Sequence, residues 1–173
     1  FAVSTADLRE GREVIIRRGP LWQATLASAA IPGIYPPVRI GQHLLVDGGV
    51  VNPVPVSVAR LLGADIVVAV DLSEPLGTQQ EFDPAGAPPP PIPSLIDTIL
   101  RSRDIVMSEI RGHTVTDTAV LIKPEVVRVS MHNFVEGRQF MDAGAEATEK
   151  VLPRLRELLP WLNEPTDAEP VYP

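Results

Sequence analysis

The segment His43-Leu44-Leu45-Val46-Asp47-Gly48-Gly49-Val50-Val51-Asn52-Pro53 carries a pattern around which the remaining chain can be ordered. An apolar run ends on one carboxylate, and two glycines follow at once. The run reads as a buried strand, and Gly-Gly lets a backbone turn through positive φ with no Cβ in the way. Asp47 then stands at a strand end, on chain able to bend sharply, where a charged side chain can face a cleft. A plainer reading is open too. Asp-Gly is a favoured hairpin turn, with Val50-Val51 as the returning strand.

The flanking sequence supplies further elements. Upstream, Val38–Ile40 and His43–Val46 read as a hairpin over Gly41-Gln42 that delivers the chain to Asp47. Phe1–Thr5 reads as a buried strand, Ala6–Gly11 as a polar turn, and Arg12–Arg18 as the partner strand that Gly19-Pro20 breaks. Leu21–Ala30 is a predicted short helix, ended by Ile31-Pro32-Gly33. Downstream, Asn52 can cap, and proline suits a first helical turn, where its missing N–H is an orphan in any case. A short helix ending at Gly63 precedes the apolar strand Ile66–Val70. A helix between apolar strands suggests a βαβ unit on a covered, largely parallel sheet.

The second half is less regular. Residues 74–94 are proline-rich with almost nothing to bury, and read as a disordered surface loop or as a lid over a lipid-facing cleft. Ser94 caps the next predicted helix, with Ile96, Ile99, Leu100, Ile105 and Ile110 on one apolar stripe. Ala119–Ile122 is a strand that Lys123-Pro124 halts and Val126–Val129 can extend. Gly137 to about Leu162 is helical, broken or restarted at Pro153, with Trp161 packed on the body. Residues 164–173 form an acidic, proline-containing tail that is expected to fray.

Composition narrows the function classes. The 173 residues suffice for one domain of ordinary size, and 45% hydrophobic content supports a real core. Aromatic residues at 5% argue against stacking platforms for bases or sugars. The net charge of −7, with no basic cluster longer than Arg17-Arg18, argues against a nucleic-acid partner. The same charge gives no attraction to an anionic membrane, although apolar insertion stays open. The lack of cysteine excludes disulfides, thiolate catalysis and cysteine-type zinc sites. No apolar run approaches ~18 residues, so no transmembrane helix is expected. With no signal peptide visible, the expected location is cytoplasmic or peripheral to a membrane. Phe1 already lies within a predicted strand, so the chain is expected to be the later part of a longer polypeptide.

The order of these pieces resembles a known family. The residues that carry the likeness are Thr-Leu-Ala-Ser-Ala-Ala-Ile-Pro-Gly-Ile-Tyr-Pro-Pro-Val from Thr25, Leu-Val-Asp-Gly-Gly-Val-Val-Asn-Pro-Val-Pro-Val from Leu45, and Leu-Gly-Ala-Asp-Ile-Val-Val-Ala-Val-Asp ending at Asp71. Ser4-Thr5-Ala6-Asp7-Leu8 with Gly11, and Leu121-Ile122-Lys123-Pro124 followed by Phe134 and Gly137, add to it. Together they resemble the C-terminal half of the patatin-like phospholipase domain, in its bacterial and neuropathy-target-esterase-like branch. The resemblance implies an α/β fold with three α/β/α layers, residues 1–163 being the C-terminal portion of a larger domain. It implies a serine hydrolase of lipid acyl esters that uses a Ser–Asp dyad and needs no metal or cofactor. Asp47 occupies the position of the dyad aspartate, with Gly48 and Gly49 completing the motif. The family's nucleophile lies in a Gly-x-Ser-x-Gly elbow ahead of this part. The implied partners are a lipid or acyl ester substrate, the upstream segment of the same protein and a membrane surface.

The residues carry their own chemical logic. A serine hydroxyl is a poor nucleophile at neutral pH and needs a base within hydrogen-bond reach. Histidine usually serves, oriented by a carboxylate. A partly desolvated carboxylate can take the proton directly, and Leu44–Val46 with Val50-Val51 are expected to wall Asp47 in this way. No Gly-x-Ser-x-Gly occurs in the 173 residues, nor a glycine-rich run to bind an oxyanion. Ser28, in Ala-Ser-Ala-Ala, reads as a small packing residue. A degenerate, non-catalytic α/β module kept for binding or assembly is therefore the alternative. His43, His113 and His132 show no metal spacing and read as surface or capping residues. Asp7, Asp65 and Asp71 read as turn or cap residues. Asp71 ends a strand where ligands gather, but a magnesium site with Asp47 fits apolar surroundings poorly.

Overall fold

The polar turn Leu8–Gly11 is too short to join anything but antiparallel neighbours. It links β1 (Val3–Asp7) to β2 (Arg12–Ile16), in register from Val3 opposite Ile16 to Asp7 opposite Arg12. Gly41-Gln42 likewise turns β3 (Val38–Ile40) into β4 (His43–Asp47), with Ile40 opposite His43. The two hairpins join through β1 and β4, which pair Thr5 with Asp47 and Asp7 with Leu45. The result is an antiparallel sheet in the order β2-β1-β4-β3. Leu45 and Val46 are its most buried large apolar side chains. The computed structural model describes residues 1–72, 92–126 and 137–163. The chain forms two units, Phe1–Gly63 with Pro75–Asp117 and Ala64–Glu74 with Thr118–Pro173.

Helix α1 (Leu21–Ser28) packs on β1 and β4 in the first unit. Ala24 and Ala27 face inward, and such small side chains let the helix backbone approach the sheet closely. Helix α2 (Val56–Leu61) buries Val56 and Val58. Pro55 precedes it, so Asn52 is not its cap. Helix α3 (Leu95–Thr114) starts at Ser94, whose hydroxyl accepts a hydrogen bond from the Asp97 N–H at 3.2 Å. This is the expected cap. None of the α3 residues is buried, and Ile96, Ile99 and Ile105 of its apolar stripe are exposed.

In the second unit β5 (Val68–Val70) pairs in parallel with β6 (Val120–Ile122), and helix α4 (Gly137–Leu158) packs against β6. Val120, Ile122, Ala147 and Leu155 form its core, with Val151, Leu158, Leu159 and Leu162 packed around it. The class is α/β, as expected, but the hydrogen-bonded pairings differ from the predicted βαβ unit. β4 is occupied on both edges by antiparallel neighbours, and the parallel partner of β5 is β6. Two further expectations fail. α4 runs through Pro153 without a break. Trp161 is 61% exposed, while its neighbours Leu159 and Leu162 do the packing. His132, the tail 164–173, all of the Val126–Val129 extension except Val126, and all of 74–94 except its last three residues fall outside the described residues.

Candidate active site

Asp47 is the last residue of β4, and its backbone is held from two directions. It pairs with Thr5 on β1, and its N–H donates to the carbonyl of Ala30, just past α1, at 3.1 Å. The following residues make a 3-10 turn, Gly48–Val50, closed by the N–H groups of Val51 and Asn52 donating to the Gly48 carbonyl at 3.1 and 2.9 Å. No returning strand forms, so the plain hairpin reading does not hold. Asp47 Oδ1 accepts a hydrogen bond from the Gly49 N–H at 2.8 Å. Oδ2 takes no hydrogen bond among the described residues, and the residue is half-buried.

The glycines serve a different purpose from the one expected. Neither Gly48 nor Gly49 has positive φ. Gly48 is needed for close approach, because a Cβ there would lie 2.6 Å from the Ser4 carbonyl oxygen. A Cβ on Gly49 would lie 2.6 Å from Met107 Cε, the mobile end of a side chain on α3.

A cavity of about 430 Å³ opens beside this turn, and Asp47 lines it. Its apolar wall comes from Val3, Met107, Pro53 and Pro55. The walls expected from Leu44–Val46 and Val50-Val51 are absent from the lining. Leu45 and Val46 are instead buried in the core, on opposite faces of the strand. Ser4, Ser28 and Asn52 bring polar groups to the same cavity. Ser28 is thus a lining residue, and neither it nor Ser4 is hydrogen-bonded to Asp47 among the described residues.

Glu13 was not singled out by the sequence, yet it braces this region. It accepts from the Ser4 hydroxyl at 2.6 Å and from Asn52 Nδ2 at 3.1 Å. Asn52 also reaches Ser57 Oγ at 3.4 Å, while its Oδ1 is shut from solvent with no partner among the described residues. The available signal was a carboxylate inside an otherwise alternating strand, Arg12-Glu13-Val14.

The other titratable candidates sit elsewhere. Asp7 is buried, and accepts from the Arg9 and Leu44 N–H groups at 2.9 and 3.4 Å through Oδ1. Its Oδ2 lies 2.7 Å from His43 Nδ1. The His43 hydrogen bond, followed by that from Arg9, holds the Asp7 carboxyl below its ordinary value. Among the described residues, Asp7, Glu10 and His43 have donor atoms within 4.8 Å of one another and are the group that could hold a metal ion. Arg12 pairs with Glu10, and backbone amides and His43 engage Asp7, so the turn itself accounts for the arrangement. His113 pairs with Glu109 at 3.7 Å on the surface. Asp47 belongs to the first unit and Asp71 to the second, where the Asp71 N–H donates to the Ile122 carbonyl at 2.9 Å.

The family model described as patatin-like phospholipase matches residues 1–60, the stretch that carries Asp47, the glycine turn and the four-stranded sheet. An uncharacterized NTE family protein of Mycobacterium tuberculosis is 32% identical over 166 residues, which cover 88% of this chain. Residues 1–60 belong to the patatin-like phospholipase family. This patatin-like chain spans 28% of the length of that relative. A second NTE family protein of the same organism is 43% identical over 72 residues, covering 42% of the chain and 20% of the relative. A patatin-like phospholipase domain-containing protein of Caenorhabditis elegans is 45% identical over 74 residues, covering 42% of the chain and 5% of the relative. Among the described residues of the patatin-like chain, no helix is long and apolar enough to cross a membrane.

Proposed function

We propose that this chain supplies the carboxylate of a serine–aspartate pair that hydrolyses acyl esters of lipids. The observation that carries the reading is the state of Asp47. One oxygen is fixed by a backbone N–H, the other is unengaged among the described residues, and both belong to a residue lining a cavity with apolar walls. Membership of the patatin-like family supports lipid acyl esters as the substrate class.

In this reading the nucleophile is a serine in a Gly-x-Ser-x-Gly segment upstream of Phe1, together with the N–H groups that receive the oxyanion. Asp47 Oδ2 takes the seryl proton as Oγ attacks the ester carbonyl carbon. The tetrahedral intermediate collapses, the C–O bond to the alcohol breaks, and Asp47 returns its proton to the leaving oxygen. A water molecule then attacks the acyl-enzyme, with Asp47 as base again, and releases the carboxylic acid and the serine. In this reading no metal or cofactor takes part. Gly48 and Gly49 let the turn sit against Ser4 and Met107, and so place the carboxylate at the cavity wall.

Asp47→Asn in the full-length protein tests this. The expected result is a loss of at least about a thousandfold in p-nitrophenyl ester turnover, with Tm nearly unchanged. Full turnover in that variant removes Asp47 from the mechanism. The absence of Gly-x-Ser-x-Gly within the 173 residues favours a second reading, a non-catalytic module of the same fold kept for binding. A fluorophosphonate probe separates the two: it labels the full-length hydrolase at serine and leaves a binding module unlabelled.

A further inference from the structure

Helix α1 is packed the opposite way from an ordinary surface helix. A helix at the edge of a globular domain turns its large apolar side chains inward. Here the inward residues are Ala24 and Ala27, at 5% and 0% exposure, while Leu21, Trp22 and Leu26 are 58%, 68% and 52% exposed. At about 100° per residue, positions 21, 22, 25 and 26 share one face spanning roughly 140°. Arg17 and Arg18, exposed and without an ion pair among the described residues, precede this face directly. Thr25, on the same face, also lines the Asp47 cavity, so the apolar face adjoins the cavity.

We infer that the outward face of α1, flanked by Arg17 and Arg18, docks on an anionic lipid surface. Tryptophan and leucine beside arginine suit the boundary between headgroups and acyl chains. The indole has an apolar body and one polar N–H, and arginine keeps its charge in the headgroups while its stem lies on apolar surface. The net charge of −7 opposes approach at long range. The attraction is therefore local, from two guanidinium groups acting within a Debye length of about 8–10 Å. Docking by this face brings the cavity side of α1 to the lipid. The inference leans on the proposed lipid substrate only for its purpose, since adsorption needs no turnover.

Sedimentation of the full-length protein with phosphatidylcholine vesicles, with and without phosphatidylglycerol, tests it. Binding is expected to require phosphatidylglycerol, to fall about fivefold for each of Arg17→Gln and Arg18→Gln, and to fall at least about tenfold in Trp22→Ser/Leu26→Ser. With every other tryptophan of the full-length protein replaced by phenylalanine, Trp22 fluorescence should shift to the blue on binding and be quenched by brominated acyl chains, a readout that leaves the face itself unaltered. Asp47→Asn should bind like the unsubstituted protein even if its turnover is lost, so failure of the catalytic reading leaves this measurement intact. No vesicle binding, or binding undiminished in Trp22→Ser/Leu26→Ser, overturns the inference. So does a Trp22 shielded from acrylamide in the free protein, which would mean that another segment or a second copy covers the face.

Discussion

A methyl group on Gly48 has no room, because Ser4 backbone atoms lie 2.6 and 2.7 Å from where it would stand. Backbone on the central strand cannot yield as a side chain can. Gly48→Ala is therefore expected to destabilise the first unit by about 1–3 kcal/mol in denaturant titrations. Gly49→Ala, which meets side-chain atoms alone, the tip of Met107 at 2.6 Å and Asp47 Oδ1 at 3.2 Å, should cost clearly less; equal losses would show that the contact with β1 is not the limiting one. Asp7 makes a prediction in pH. Its folded pKa lies below the unfolded one, so it stabilises the fold fully above the ordinary aspartate value of about 3.9. That stabilisation is lost as pH falls through the folded pKa. Tm measured in steps below pH ~4 should thus drop more steeply for the unsubstituted protein than for Asp7→Asn; parallel curves would refute the assignment.

At the scale of elements, β4 connects two separate jobs. Its first residue, His43, contacts Asp7 at one end of the sheet, and its last, Asp47, lines the cavity at the other. The strand pairs on both edges, which makes it a stiff support for a carboxylate that has to be placed accurately. Helix α3 lines the cavity through Met107, so the integrity of that wall depends on the helix. Its start rests on Ser94, which accepts from the Asp97 N–H and donates to Asp97 Oδ2 at 2.6 Å. Ser94→Ala should cost about 1 kcal/mol of local helix stability. Hydrogen exchange of the first-turn amides of α3 should quicken by roughly fivefold while those of β1 and β4 are unchanged.

At the scale of the molecule, each of the two units has its own buried apolar residues. In the second, Leu155 is 7% exposed and packs with Val120, Ile122 and Ala147. Leu155→Ala should remove about 2–5 kcal/mol by leaving a cavity between α4 and β6. Exchange protection along β6 and α4 should fall accordingly; unchanged protection there would show that this cluster does not hold the unit together. The family match covers residues 1–60 of the first unit, so the part of the chain that carries the candidate site is also the part most plainly of patatin-like type.

Local signals in the sequence were enough for the elements around Asp47. Apolar runs and alternation marked the strands, Gly41-Gln42 marked the hairpin, Gly19-Pro20 and Ile31-Pro32-Gly33 bounded α1, and Ser94 announced α3. The order of these blocks also carried the family resemblance, and with it the position of Asp47 as the dyad aspartate that the resemblance implies. What surrounds Asp47 was settled only in three dimensions. Met107 meets Gly49 from far along the chain, Glu13 holds Ser4 and Asn52 across two strands, and Gly48 owes its identity to Ser4, not to φ. The same holds for α1, a helix of small and apolar residues mixed with Gln23, Thr25 and Ser28, whose composition does not say that Ala24 and Ala27 turn inward and Trp22 outward. A segment's own conformational preference is written in neighbouring residues. The choice of wall, brace or open face depends on which distant atoms fit against it, and packing decides that.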